Sequence, residues 1–156
     1  MIRRPEIGSN RIRESDRDKI YAYPHYTVFD WLIVKSQGGS LLVSGKVTQL
    51  FKKYDIGELL AEIDGVETFH NRIDVLPASQ FDHCLRTAIA LAIYRDPFFV
   101  AYATSPVPPF HIVVENGNVT LDGVVGSPSE RAQAGEDARF AETFFSLTNE
   151  LRIEDR

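Results

Sequence analysis

Gly39-Ser-Leu-Leu-Val-Ser-Gly45-Lys-Val47 returns as Gly117-Asn-Val-Thr-Leu-Asp-Gly123-Val-Val125, 78 residues further on. The same offset continues without a gap, pairing Gly57-Glu58 with Gly135-Glu136, Asn71 with Asn149, and Ile73-Asp74-Val75 with Leu151-Arg152-Ile153. Upstream, Tyr21-Ala-Tyr-Pro24 resembles Tyr94-Arg-Asp-Pro97 at an offset of 73, so the second copy carries about five extra residues between Pro97 and Pro109. Sparse identity with an unbroken offset implies two small modules rather than one large core, and 156 residues suffice for both. The expected division is a tail over residues 1–10, a first module over 11–76 and a second over 77–156. Leu76-Pro77-Ala78 joins the modules and is too short to act as a free linker.

Each module reads as helix, strand, strand, helix, strand. In the second, Ser79 can cap a helix whose apolar positions include Phe81, Leu85, Ala88, Ile89 and Ala92, ending before Pro97. The matching helix of the first module, roughly Ile12 to Tyr21, is more polar, with Ile12 and Ile20 as its anchors. Asn116-Gly117 and Gly38-Gly39 are two-residue hairpin turns, because a type I′ turn needs positive φ at both central residues. Those turns set Val34 opposite Val43, Ile112 opposite Leu121, and Val114 opposite Val119, with the apolar side chains on one face. Gly45 and Gly123 are grouped with Gly38, Gly39, Asn116 and Gly117 as structural turn residues. Ser127-Pro128-Ser129-Glu130 supplies an N-cap hydroxyl, a proline at the first helical position and a glutamate at the third. The following stripe is Ala134, Ala138 and Ala141, where the first module has Ile56, Leu60 and Ile63. The expected fold class is therefore α+β, as two tandem αββαβ modules. Each is a small three-stranded mixed sheet with two helices on one face.

Charge and composition exclude several functions. Residues 11–76 carry nine basic against ten acidic groups, and residues 77–156 six against eleven, within a net charge of −5. A nucleic-acid binder would show a basic excess or stripe, so nucleic acid is not an expected partner. The longest apolar run, Ala88 to Ile93, is far below the roughly 18–20 residues of a membrane span. One cysteine, Cys84, excludes an internal disulfide and a cysteine-built zinc site. His25, His70, His83 and His111 show no metal-ligand spacing, and no oxygen-ligand loop or nucleophile with a base is visible, so no metal, cofactor or catalytic residue is expected. Met1-Ile-Arg-Arg-Pro5 has two arginines but no apolar segment after them, so no signal peptide is read.

The pattern Val-x-x-x-Gly-x-Val-Thr-Leu-x-Gly-x-Val over Val113 to Val125, the helix with Ala134 and Ala138, and the ending Thr148-Asn149-Glu150-Leu151 resemble the BON domain family. In the first module the matching residues are Gly39 to Val47 and Asp64-Gly65-Val66-Glu67 before Asn71. The second module departs at Thr143-Phe144, where the family has a Gly-Val pair. The resemblance implies a tandem pair of BON domains in a non-enzymatic bacterial cell-envelope protein, periplasmic or secreted. A cytoplasmic location stays open, since no signal peptide is read. It implies phospholipid-surface attachment, with an adaptor docking an envelope protein partner as the alternative. It transfers no catalytic residue, and the oligomeric state stays open.

Two segments could form a lipid surface. Leu50-Phe51-Lys52-Lys53-Tyr54 sets Phe51 beside two lysines at a helix start, against the macrodipole. The alternative is a solvated helix face with Phe51 turned inward. The second segment is the insertion after Arg95, where Phe98, Phe99 and Tyr102 either face an interface or fill a groove between the modules. Three further readings are structural. His111 lies opposite Asp122 as a cross-strand ion pair, Cys84 is a small buried hydrophobe, and Asn71 and Asn149 bond backbone at a sheet end.

Overall fold

The computed structural model describes residues 19–103 and 110–154. Most of the predicted first helix lies outside them; residues 19–21 are helical, and Ile20 is buried. Contacts divide the described chain into two compact units. One comprises residues up to Tyr26 with Leu32–Leu76, the other Thr27–Trp31 with Pro77 onward.

In the first unit, strands β1 (Trp31–Gln37), β2 (Ser40–Val47) and β3 (Thr68–Val75) form a sheet in that order, with helix α1 (Leu50–Ala61) between β2 and β3. Gly38 and Gly39 both have positive φ, as a type I′ turn requires. Strand β3 runs parallel to β2 from Ser40 opposite Thr68 to Val47 opposite Val75. The core gathers Leu41, Val43 and Val47 of β2, Ile73 of β3, and Ile56 and Leu60 of α1, with Ile63 beyond the helix end.

The second unit opens with α2 (Gln80–Tyr94), then a single 3-10 turn at Pro97–Phe99 and the short α3 (Val100–Ala103). Strands β4 (Phe110–Glu115) and β5 (Asn118–Val125) form a hairpin in the expected register, including Ile112 opposite Leu121 and Val114 opposite Val119. Asn116 and Gly117 supply its positive-φ turn. Helix α4 (Pro128–Arg139) leads to β6 (Ser146–Asn149) and β7 (Arg152–Ile153), both parallel to β5. The sheet therefore has four strands rather than three. The last strand is interrupted without a change of register, since Leu121 faces Asn149 and Val124 faces Arg152. Ala134 and Ala138 pack fully buried against Leu85, Ile89, Ile112 and Leu121. Ser79 and Ser127 accept from the Asp82 and Glu130 amides as helix caps, at 3.1 Å each.

Both units repeat one register. The residue facing Ser40 is Thr68, and the residue facing Asn118 is Ser146, each pair 28 apart in sequence and 78 apart between units. Gly45 and Gly123 also recur, with φ of +126° and +122°. Both lie inside strands rather than at turns, which corrects their grouping with the turn residues. A strand-interior glycine with this φ marks a local twist that a side chain would strain.

Candidate functional site

The two halves start the helix after their hairpin very differently. Helix α4 has a hydroxyl cap, proline at its first position and Glu130 in its first turn. The Glu130 carboxylate accepts from the Gly126 amide at 2.7 Å and from Tyr102 Oη at 2.6 Å. Helix α1 has Gln49 at its cap with no side-chain bond and no acidic residue in its first turn. At positions equivalent to Pro128, Ser129 and Ala132 it carries Leu50, Phe51 and Tyr54, exposed at 55%, 42% and 62%. Phe51 meets His25 edge-on at 5.2 Å, and Lys53 is half-exposed beside this apolar turn. Lys52 faces away. It is buried, its Nζ donates to Thr48 Oγ1 at 2.7 Å, and it leaves the candidate surface. The inward alternative for Phe51 is not what the structure shows.

The second segment is only partly a surface. Phe99 is fully buried, with its ring 5.7 Å from Phe110 and 5.5 Å from Tyr102, so it leaves the candidate set. Tyr102 packs on the same core and donates its hydroxyl to Glu130, which removes it too. The rings fill a place within the second unit, between Tyr94, Phe110 and α4, rather than a groove between modules. The reason is local: Asp96 accepts from the Phe98 amide at 2.9 Å and starts the 3-10 turn that aims Phe99 inward. Phe98, Val100 and Arg95 remain exposed.

Asp96 also enters a carboxyl pair. Gln133 Nε2 donates to Asp96 Oδ2 and to Asp137 Oδ1, both at 2.9 Å, while Asp137 Oδ2 is buried without a donor. Burial and the contact with Asp96 push the Asp137 carboxyl up to about 6, and the same contact holds Asp96 below its ordinary value.

The register sets His111 opposite Asp122, and the imidazole is buried. His111 is buried beneath Trp31, with ring centroids 5.1 Å apart, and its Nδ1 is 3.2 Å from the Thr27 carbonyl. Burial pushes the imidazole down to about 4, so it is neutral near pH 7. The segment Thr27–Trp31 covers it, and the Val28 carbonyl accepts from the Ile112 amide at 2.7 Å. Sequence patterns gave no sign of this strap. Cys84 is exposed rather than buried, because it lies on the α2 face away from Leu85 and Ile89. Asn71 and Asn149 do bond backbone: their Nδ2 atoms donate to the Lys53 and Arg131 carbonyls at 3.0 and 2.9 Å, and their Oδ1 atoms accept from Ile73 and Leu151.

Sequence reading also missed Asp82, whose carboxylate accepts from the Asn116 and Gly117 amides at 2.8 and 2.9 Å and holds the turn. Beside it, buried Arg86 donates to the Val114 carbonyl at 2.9 Å. Among the described residues no group of three or more His, Cys, Asp or Glu could hold a metal ion. No described helix is long and apolar enough to cross a membrane.

Residues 101–155 match the BON domain family, which places a BON domain in the second unit. No curated protein matches the chain. Among solved structures, the chain is similar to the C-terminal domain of CdsD, described as the structural protein of the type III secretion system of Chlamydia trachomatis. The two share 10% identity at a TM-score of 0.36, over 90% of this chain and 64% of that one. Likeness at that level carries no argument about this protein.

Proposed function

We propose that this protein is a non-catalytic envelope module, periplasmic or secreted, that attaches to anionic phospholipid surfaces through the first turn of α1. On this reading the first unit is a second BON module, supported by the shared 28-residue parallel register and the paired Gly45 and Gly123. The observation that carries the lipid reading is the exposed Leu50, Phe51 and Tyr54 beside Lys53. At the same positions α4 is polar and capped, so folding of the module does not require this apolar turn. Sites that break local helix rules without a packing gain are where function is expected. Phe98, Val100 and Arg95 offer a smaller second contact on the other unit.

The chain is net negative, so attachment is local and weak, with about 1 kcal/mol for a lysine near an anionic surface plus partial ring insertion. Co-sedimentation with vesicles of mixed zwitterionic and anionic phospholipid tests this. The native chain pellets with anionic vesicles and releases at high salt, while Phe51→Ser/Tyr54→Ser stays in the supernatant. Equal pelleting by both chains overturns the assignment, and no pelleting by either favours the adaptor reading.

A further inference from the structure

Pro24-His25-Tyr26 and Pro97-Phe98-Phe99 continue the 73-residue offset of the segments before them. In each, the first ring after the proline is exposed and the second is buried in its own unit's core. His25 and Phe98 lie outside, Tyr26 and Phe99 inside. The build of the module therefore sets an exposed ring at this place, and only its chemistry differs. It is a phenyl group in the second unit, where the helix after the hairpin has a polar, capped start. It is an imidazole in the first, where that helix starts with exposed Leu50, Phe51 and Tyr54. The titratable ring stands beside the apolar turn.

Two contacts hold it there. The His25 and Phe51 rings meet edge-on, with centroids 5.2 Å apart and planes at 90°. His25 and Tyr23 also meet edge-on, at 5.6 Å. Tyr23 is tied to α1 in turn, since its hydroxyl donates to Asp55 Oδ2 at 2.5 Å. Of the charged groups on α1 around this contact, the Asp55 carboxylate is thus engaged by Tyr23, Lys52 is buried on Thr48, and Lys53 is the half-exposed cation of the turn.

We propose that His25 makes the attachment of α1 proton-dependent: once protonated, it adds a second cation to Lys53 at the bilayer surface and strengthens binding to anionic phospholipid as the pH falls. This inference rests on the attachment proposed above and assigns its regulation. Histidine is the side chain whose charge ordinarily changes between about pH 5 and 8. One added cation near an anionic surface strengthens partitioning about fivefold. Because the imidazole is exposed and already in contact with the ring that enters the bilayer, it gains this attraction without rearrangement of the unit.

The test is partitioning of the full chain onto vesicles of phosphatidylcholine and phosphatidylglycerol, at about pH 5.5 and pH 8. Phosphatidylglycerol keeps its charge over this range, so any change comes from the protein. The native chain binds about fivefold more tightly at the lower pH. His25→Gln binds as the native chain does at pH 8 and changes less than about twofold on acidification. His25→Lys carries its charge at both values and binds at pH 8 as the native chain does at pH 5.5. His70→Gln removes the other exposed histidine of the first unit and keeps the native pH dependence. Native binding that is equal at both pH values overturns the inference and leaves the attachment standing. So does a His25→Gln chain that keeps the native pH dependence. No native binding at either pH overturns the attachment and the inference together.

Discussion

Superposing the two halves on their 78-residue offset separates what the module needs from what each copy has added. Shared are the positive-φ turn, the strand glycine, the parallel register and the asparagine that ties strand to helix. The added features lie at the helix start, in the insertion before β4 and in the strap before β1. Helix α1 begins with Leu50 and Phe51 where α4 has Pro128 and Ser129. The insertion before β4 brings Phe99 into the second core, and the strap Thr27–Trp31 covers His111 only in the second unit. The difference teaches that exposed apolar residues in one copy are optional for folding, and therefore available for binding.

The largest expected effect lies within the insertion. Phe99→Ala removes a fully buried ring and should destabilise the protein by about 3–5 kcal/mol, whereas exposed Phe98→Ser should change stability by about 0.5 kcal/mol or less. Chemical denaturation of the two variants checks this, and equal effects would break the distinction between core and surface in this segment.

That segment also shows where sequence reading stopped. The turns, the hairpin register of the second unit and the alanine stripe of α4 were legible, because short-range chemistry dictates each. Phe98 and Phe99 could not be sorted by composition. Their directions depend on Asp96 capping a 3-10 turn, and that bond forms only when α2 ends at Tyr94. Lys52 was misplaced for a similar reason, since its partner Thr48 precedes the helix and no periodicity reports it. His111 had the right strand partner, but a strap 84 residues upstream decides its environment.

The His111 strap gives the next effect. An imidazole pushed down to about 4 stabilises the fold fully above its ordinary value near 6.5, and that contribution is lost as pH falls from there to about 4. The loss is on the order of 3 kcal/mol. Denaturation at pH 7 and pH 4 should show this fall in the native chain and a smaller one in His111→Gln.

Smaller again is the contrast between equivalent glycines. A Cβ on Gly57 would lie 2.7 Å from Asn71 Nδ2, and one on Gly135 would lie 3.1 Å from Asn149 Nδ2. Gly57→Ala should cost about 1–2 kcal/mol by displacing the amide from the Lys53 carbonyl. Gly135→Ala should be nearly neutral, since alanine's better helix propensity, about 1 kcal/mol, offsets the crowding. Thermal melts of both variants sharpen the comparison, and a reversed order would break it.

The smallest effect concerns the carboxyl pair. A carboxyl pushed up to about 6 favours the fold at low pH, and this is lost as pH rises from its ordinary value of 3.8 through 6. Its partner Asp96 is shifted the opposite way and partly offsets the loss. Asp137→Asn should therefore stabilise the protein at pH 7 by at most about 1 kcal/mol, given its partial exposure. Stability profiles of native and variant chains should converge near pH 4.

The asymmetry between the two helix starts is tested most directly by mapping which backbone amides approach lipid. Nuclear magnetic resonance of the full chain on anionic bilayer discs carrying spin-labelled lipid reads this residue by residue. The account predicts selective broadening across Leu50 to Tyr54, a lesser effect near Phe98, and none at the equivalent Pro128 to Ala132. Equal broadening at both helix starts, or none at Leu50 to Tyr54, would contradict it.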